Sequence, residues 1–240
     1  MDSTGLSMFM DICYMYILII AATRNEIQDA GIFIEEKKYK QENFKIEIAI
    51  TGIGLVSTTY FLTRHINNQR PDMIIQAGIA GCFRQNKNNT IVSIYKDVVA
   101  DMGVAETNLF KDIFDLKLAG KNDLPFVDGR LVNPHQKLLS LAAFEQVNAV
   151  SVNEITTNKN RIDWYQQNYA PFVESMEGAA FHYVCLQEKI PFLQIRAVSN
   201  YIGERDKSKW TIKESIVALN EQLILLINKL TIYDEAYFRI

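Results

Sequence analysis

Residues 14–22 of this 240-residue chain read YMYILIIAA, apolar at every position. No polar residue alternates through the run, so it is not a strand with one wet face and must be covered on both. Nine residues fall far short of the ~20 needed to span a bilayer. No Lys or Arg precedes them, so the positive flank of a secretory leader is missing too. A strand covered on both faces needs a helical layer on each side.

The rest of the chain supplies those layers. A helix is expected after the TRNE turn at 23–26, with Thr23 as its N-cap and Glu26 at the third position. Residues 46–51 (IEIAIT) predict a second strand, closed by Gly52-Ile53-Gly54 and followed by a helix over 55–67. A third strand over 73–77 runs into a glycine turn, Gly78-Ile79-Ala80-Gly81. Residues 91–100 are strand-like, and 102–133, rich in Gly, Asp, Asn and Lys, read as a long surface excursion. A helix over 134–144, a strand over 147–152 and a helix over 158–169 follow. The C-terminal helix over 210–230 repeats Ile212, Ile216, Leu219, Leu223 and Leu226 at helical spacing. Strands alternating with helices predict a single-domain α/β fold, its mostly parallel central sheet flanked by helices. Residues 1–12 are expected to form a flexible extension, and 13–240 the domain.

Composition narrows the partners. With 25 basic and 28 acidic residues and no basic stripe, the chain lacks the clustered positive charge that nucleic acid demands. A small polar ligand fits better. The three cysteines, Cys13, Cys82 and Cys185, are odd in number and lack the paired spacing of a zinc site. They read as buried reduced thiols, which suggests a cytoplasmic protein. His65, His135 and His182 lie on separate helical segments and read as packing or surface residues. Gly52-Ile53-Gly54 lacks the third glycine of a dinucleotide fingerprint, since Ser57 stands there, and reads as a tight turn.

Chemistry concentrates in residues 173–210. A carboxylate, Glu177, opens an apolar helix, Pro191 follows the helix, and a buried strand over 192–198 ends in Ser199-Asn200. Open α/β sheets place their ligand crevices outside the carboxyl ends of the strands. Glu26 and Glu177 both stand at such ends. Each alone could merely complement a helix dipole. Two such carboxylates with Asn200 at a third strand end point to a site.

The runs AATRNE ending at Glu26, GIAG at 78–81, SMEGAA at 175–180, and RAVSN with ERDKSKW over 196–210 carry a resemblance. The chain resembles the nucleoside phosphorylase/nucleosidase superfamily from residue 17 to about 230, and within it the futalosine hydrolases. That resemblance implies cleavage of a purine N-glycosidic bond through a cation-like ribosyl transition state, with no metal or organic cofactor. It implies Glu26 as the base that activates water, with Arg196 near that water. It makes Glu177 the acceptor of the ribose hydroxyls, Met176 the residue under the sugar, and Gly78 and Ile79 part of the substrate wall. The purine is expected against Val152 and its neighbours. Phe181 and Tyr201 either contact ligand or fill core. Arg205 either forms a structural pair with Asp206 or meets a substrate carboxylate.

Two positions depart from the adenine-cleaving members. Asn200 stands where they carry an Asp. An amide can donate to a 6-oxo oxygen and accept from a protonated N7, which selects hypoxanthine over adenine. Ile79 replaces a Ser. Both changes favour a futalosine-type substrate over methylthioadenosine. A methylthioadenosine/S-adenosylhomocysteine or aminofutalosine nucleosidase, a phosphate-dependent phosphorylase using Arg84 or Arg196 to hold phosphate, and a non-catalytic nucleoside-binding or storage protein on the same fold remain alternatives. A homo-oligomer, in the first instance a dimer, is expected from the resemblance.

Overall fold

A computed structural model describes residues 15–37, 44–106 and 110–232. The expected extension over 1–12, and Cys13, lie outside the described residues. The apolar run becomes β1 (Met15–Ala21), buried at all seven positions. Its two faces enter two different cores. Met15, Ile17, Ile19 and Ala21 pack with Leu219, Leu223 and Leu226, while Tyr16, Leu18 and Ile20 pack with Leu62, Phe181 and Val184. The first core lies under α1 (Gln28–Lys37) and α6 (Ile212–Leu230). The second lies under α2 (Leu55–Asn68) and α5 (Gly178–Glu188). Burying each such Leu or Ile contributes ~1.5–3 kcal/mol over leaving it exposed. The sequence demand for two covers is met by the two helical layers.

β1 runs parallel to β2 (Phe44–Ile50) on one side and β3 (Met73–Cys82) on the other. Beyond β3 come β4 (Ile91–Asp97), the short pair β5 (Gly103–Ala105) and β6 (Phe110–Asp112), then β7 (Leu131–Val132) and α3 (Gln136–Ala142). The chain continues through β8 (Glu145–Ser151), α4 (Lys159–Tyr169), β9 (Val173–Ser175) and β10 (Phe192–Tyr201). The pairing does not stop at an open edge. β3 pairs with β10, β10 with β4, β4 with β8, β8 with β9, and β9 with β3 again. Five strands thus close a ring, and β1 and β2 extend from it. Most pairs of this sheet are parallel; β10–β4, β9–β3 and β7–β4 are antiparallel, as is the separate pair β5–β6.

Three local expectations are corrected. Gly78-Ile79-Ala80-Gly81 is not a turn but part of β3, which continues to Cys82. The last strand does not end at Val198: β10 runs on to Tyr201, with a register shift between Val198 and Asn200. Residues 102–133 are not a surface excursion throughout. Phe110, Phe114 and Leu131 are buried, and Asp112 Oδ2 accepts from Tyr169 Oη at 3.0 Å. These anchors are too sparse among polar residues to show a period in the sequence. Among the described residues, no helix is long and apolar enough to cross a membrane.

Candidate active site

A cavity of about 380 Å³ opens at the carboxyl ends of β1, β3 and β10, beside β9. Glu26 enters it from a single 3-10 turn, Arg24–Glu26, directly after β1. Thr23 and Glu26 form a capping box, in which Thr23 donates both its own N–H and its hydroxyl to Glu26 Oε2, each at 2.9 Å. Ile79 N donates to Glu26 Oε1 at 3.1 Å. From behind, the buried Asn220 of α6 donates to the Glu26 carbonyl at 2.9 Å and accepts from Ala30 N at 2.9 Å. The carboxylate is therefore held by Thr23 and Ile79, and the backbone behind it by Asn220, while it remains on the cavity wall.

Glu177 stands at the N-terminal end of α5, and its carboxylate reaches away from the helix. Oε1 accepts from Gly54 N at 3.1 Å, and Oε2 lies 3.5 Å from Arg196 Nη1. Gly52-Ile53-Gly54 is thus more than a packing turn. Both glycines have positive φ, at 82° and 92°, which presents an N–H to Glu177 and Ile53 to the cavity. Arg196 is 1% exposed and does not line the cavity. It lies beneath, donating from Nη2 to Gln76 Oε1 at 3.0 Å and from Nη1 toward the Ile79 carbonyl at 3.4 Å. A single buried guanidinium thereby ties the Glu177 carboxylate to the strand that holds Glu26.

Gly78 also stands off the cavity wall, and its smallness makes this arrangement possible. Gly78 pairs with Arg196 across β3 and β10. A Cβ at 78 would run into Arg196 Nη1 and sit 3.0 Å from Glu26 Oε1. Gly81 does the same service farther along, where a Cβ would lie 3.3 Å from Asn200 Nδ2 and 2.9 Å from Ile202 Cγ1.

Asn200 reaches the cavity through the irregularity in β10. The extra residue, Ser199, shifts the register so that Asn200 faces Gly81. The Ser199 carbonyl is pinned by Thr211 N at 2.9 Å, from the start of α6. The Ser199 hydroxyl donates to Asn200 Oδ1 at 2.9 Å, and Asn200 Nδ2 donates to the Tyr201 carbonyl at 3.2 Å.

Of the residues singled out from sequence, Glu26, Ile79, Met176, Glu177, Asn200 and Arg205 line this one cavity. Val152 does not. It is fully buried among Val98, Val150 and Tyr165, because it shares the face of Val150 that packs under α4. Its neighbours Ile155 and Thr156 line the cavity instead. Phe181 is buried in the helical core. Asp206 caps the next turn by accepting from Ser208 N at 3.0 Å and Ser208 Oγ at 2.7 Å, so its bonds go to Ser208 rather than to Arg205. Arg205 stays exposed on the rim, 5.6 Å from the Trp210 ring.

Sequence reasoning missed Glu174. It lines the cavity, accepts from Thr156 N at 3.1 Å, and burial raises its carboxyl above the usual range. Its register with Gly81, which also faces Asn200, places it across β3 from Asn200. Only the pairing of distant strands reveals it. Ile212 and Ile216, read as core positions of a helix, also line the cavity. None of the three histidines does. His182 is fully buried, and burial pushes its imidazole down to about 3. Among the described residues, no group of three or more His, Cys, Asp or Glu is placed to hold a metal ion.

The profile of one protein family, the phosphorylase superfamily, matches residues 16–230. The chain belongs to the phosphorylase superfamily. It is 26% identical over 200 residues to a 5'-methylthioadenosine/S-adenosylhomocysteine nucleosidase of Bacillus velezensis, covering 78% of this chain and 82% of that protein. It is 27% identical over 173 residues to the futalosine hydrolase of Thermus thermophilus, covering 70% and 75%. Among solved structures, the native futalosine hydrolase of Helicobacter pylori superposes with a TM-score of 0.74 at 18% identity, covering 90% of this chain and 98% of that one. A Helicobacter pylori 5'-methylthioadenosine/S-adenosylhomocysteine nucleosidase bound to butyl-thio-DADMe-Immucillin-A also gives 0.74 at 18% identity, covering 90% and 99%. These last two likenesses speak for the fold.

Proposed function

We propose that this superfamily member hydrolyses the N-glycosidic bond of a purine nucleoside, and that its base is a 6-oxopurine, as in futalosine. The observation that carries the base assignment is Asn200. Its Oδ1 accepts from the Ser199 hydroxyl at 2.9 Å, nearer than that hydroxyl's other acceptor, the Ala80 carbonyl at 3.3 Å, and this bond orients the amide so that Nδ2 is the donating end. One N–H of Nδ2 goes to the Tyr201 carbonyl. The other is left for a ligand acceptor, which a 6-oxo oxygen supplies and a 6-amino group does not. The second lone pair of Oδ1 accepts from a protonated N7.

The two carboxylates divide the remaining work. Glu26, held by Thr23 and Ile79, takes a proton from the attacking water. The water oxygen bonds to C1′ as the C1′–N9 bond breaks, and the departing base takes a proton at N7 from solvent, since Asn200 accepts there and has none to give. The proton held by Glu26 returns to solvent in its place. Glu177 accepts from the ribose 2′- and 3′-hydroxyls, and those bonds strengthen as positive charge develops on the sugar. Met176 packs against the sugar. Ile155 and Thr156, beside the base, take the place expected for Val152.

Water rather than phosphate is the favoured nucleophile because of where the cations are. Among the described residues, Arg205 is the only Lys or Arg on the cavity wall, and it lies on the exposed rim. Arg84 instead lies over the Phe172 ring at 4.9 Å, and Arg196 is committed beneath the floor. Arg205 together with Trp210, Ile53, Ile212 and Ile216 forms a rim suited to an aryl carboxylate attached at the 5′ side of the sugar. A homodimer is part of this reading. Val56 and Tyr60 of α2 are 80% and 66% exposed next to Ile53, an apolar surface that a second copy would cover.

The test is a panel of futalosine, aminofutalosine, methylthioadenosine and inosine, with base release measured with and without phosphate. Fastest release from futalosine without phosphate is expected. Strict phosphate dependence would exclude the hydrolase, and faster cleavage of the 6-amino nucleosides would exclude the 6-oxopurine assignment.

A further inference from the structure

Helix α5 begins without help from its own N-cap residue. A polar side chain there normally turns back to accept from the helix's second or third N–H. Glu177 makes no such bond, and its oxygens go to Gly54 N and Arg196 instead. The first N–H groups of α5 are met from outside the helix. Gly178 N donates to Ser175 Oγ at 3.3 Å, and Ala179 N donates to Ser151 Oγ at 2.8 Å.

The two hydroxyls are ordered by a carboxylate behind them. Ser151 Oγ donates to Asp97 Oδ1 at 3.0 Å, an oxygen that also accepts from Val98 N at 2.8 Å. Ser151 has one proton, so the 3.2 Å contact between the two serines must be donated by Ser175. Both hydroxyl protons then run toward Asp97, and each serine keeps a lone pair for an N–H of the helix. Asp97 is wholly buried, and its other oxygen, Oδ2, has no hydrogen-bond partner. Gly178 fits the same arrangement. A Cβ there would run into Asp97 Oδ2 and Gln194 Nε2, so the helix can come down onto this cluster only because residue 178 has no side chain. Gln194 influences both Asp97 and His182 without closing a well-formed hydrogen bond to either.

We propose that Asp97, acting through Ser151 and Ser175, is a positioning residue that takes over the capping of α5 and so leaves the Glu177 carboxylate free for substrate. This rests on the assignment of Glu177 to the sugar. Without an acceptor at 97 the Ser151 hydroxyl loses its direction, the N–H of Ala179 competes for the nearest carboxylate, and that carboxylate is Glu177. Only an acceptor at Oδ1 is required. A proton on the carboxyl group goes to the unpartnered Oδ2, and an Asn keeps the acceptor.

The experiment compares D97A and D97N, alone and combined with E177A, on the nucleoside that the unmodified enzyme cleaves fastest. D97A should lower kcat/KM by about 10–100-fold, the scale of an ångström-sized misplacement, and D97N should recover most of that loss. In the E177A background D97A should cost less than about threefold, because the residue through which it acts is gone. Equal losses in both backgrounds, or D97N as impaired as D97A, would overturn the proposal. S151A breaks the same relay and serves if D97A does not fold. A crystal structure of either variant should show the Glu177 carboxylate turned onto the N–H groups of α5 and away from Gly54; an unchanged Glu177 would also overturn it. That structural result needs no substrate, so it decides the positioning role even if the enzyme cleaves no purine nucleoside and the functional reading fails.

Discussion

Replacing Gly78 by Ala tests the packing that brings the two carboxylates together. The new Cβ would overlap Arg196 Nη1 and press on Glu26 Oε1 from 3.0 Å. Neither neighbour can swing clear. Arg196 is 1% exposed and bound to Gln76, and Glu26 is held by Thr23 and Ile79. Overpacking of this kind costs ~1–3 kcal/mol. For a chain of 240 residues, ~2 kcal/mol lowers Tm by about 4–8 °C. The larger effect is on activity. Arg196 must shift, and with it Glu177, so kcat/KM should fall by about 100-fold. Differential scanning calorimetry and a base-release assay measure the two effects. Gly31→Ala is the control, since its Cβ meets only Ile48 Cδ1 at an ordinary 3.6 Å. That variant should keep full activity and gain up to ~1 kcal/mol of helix stability. If Gly78→Ala kept Tm within about 1 °C and kcat/KM within about twofold, the argument for a tightly packed Arg196 would be refuted.

Other consequences are equally direct. Glu26→Gln removes the acceptor of the water's proton and should cut kcat by about 100- to 10,000-fold while nucleoside binding, measured by calorimetry, is retained; unchanged turnover would remove Glu26 from the mechanism. Asn200→Asp should shift the ratio of 6-oxo to 6-amino nucleoside cleavage at least about tenfold toward the 6-amino substrates. An unaltered ratio would show that this side chain does not read the base. Burial pushes the Asp97 carboxyl from its ordinary range up to about 7. The folded chain therefore holds this proton more tightly than the unfolded chain, and the stability it contributes below about pH 4 is lost as pH rises to about 7. In urea unfolding, wild type should lose on the order of a few kcal/mol relative to D97N across that interval. Parallel pH dependences would contradict it.

Much of this molecule was legible because its strongest signals are local. The apolar run at 14–22 and the alternation that follows it already demand two helical layers, and β1 with its two cores supplies them. The cavity side chains Glu26, Glu177 and Asn200 each stand at a strand end that periodicity could place. What could not be read depends on which strands meet. Closure of the ring through β9 and β10 brings Glu174 level with Gly81, and the SMEGAA run beside it singles out Glu177 without showing that Glu174 also faces the cavity. Val152, expected beside the purine, lies off the cavity wall, because it shares the face of Val150 that packs under α4, while Ile155 and Thr156 reach the wall. The glycines of β3 were misread as a turn for a related reason. Their smallness answers to Arg196 and Asn200 on a strand more than a hundred residues later in the chain.

The register shift at Ser199 separates two tasks along one strand. Before it, β10 is locked to β3 residue by residue, and Arg196 is fixed opposite Gly78. After it the ladder resumes one residue out of step, with Asn200 opposite Gly81, and the side chain is aimed by the Ser199 hydroxyl while Thr211, at the start of α6, pins the Ser199 carbonyl. A change at 200 falls beyond the step and leaves the pairing that fixes Arg196 intact. Under the proposed division of labour, base preference in such a scaffold is an exchangeable trait, open to revision by single substitutions while the hydrolytic apparatus is inherited whole.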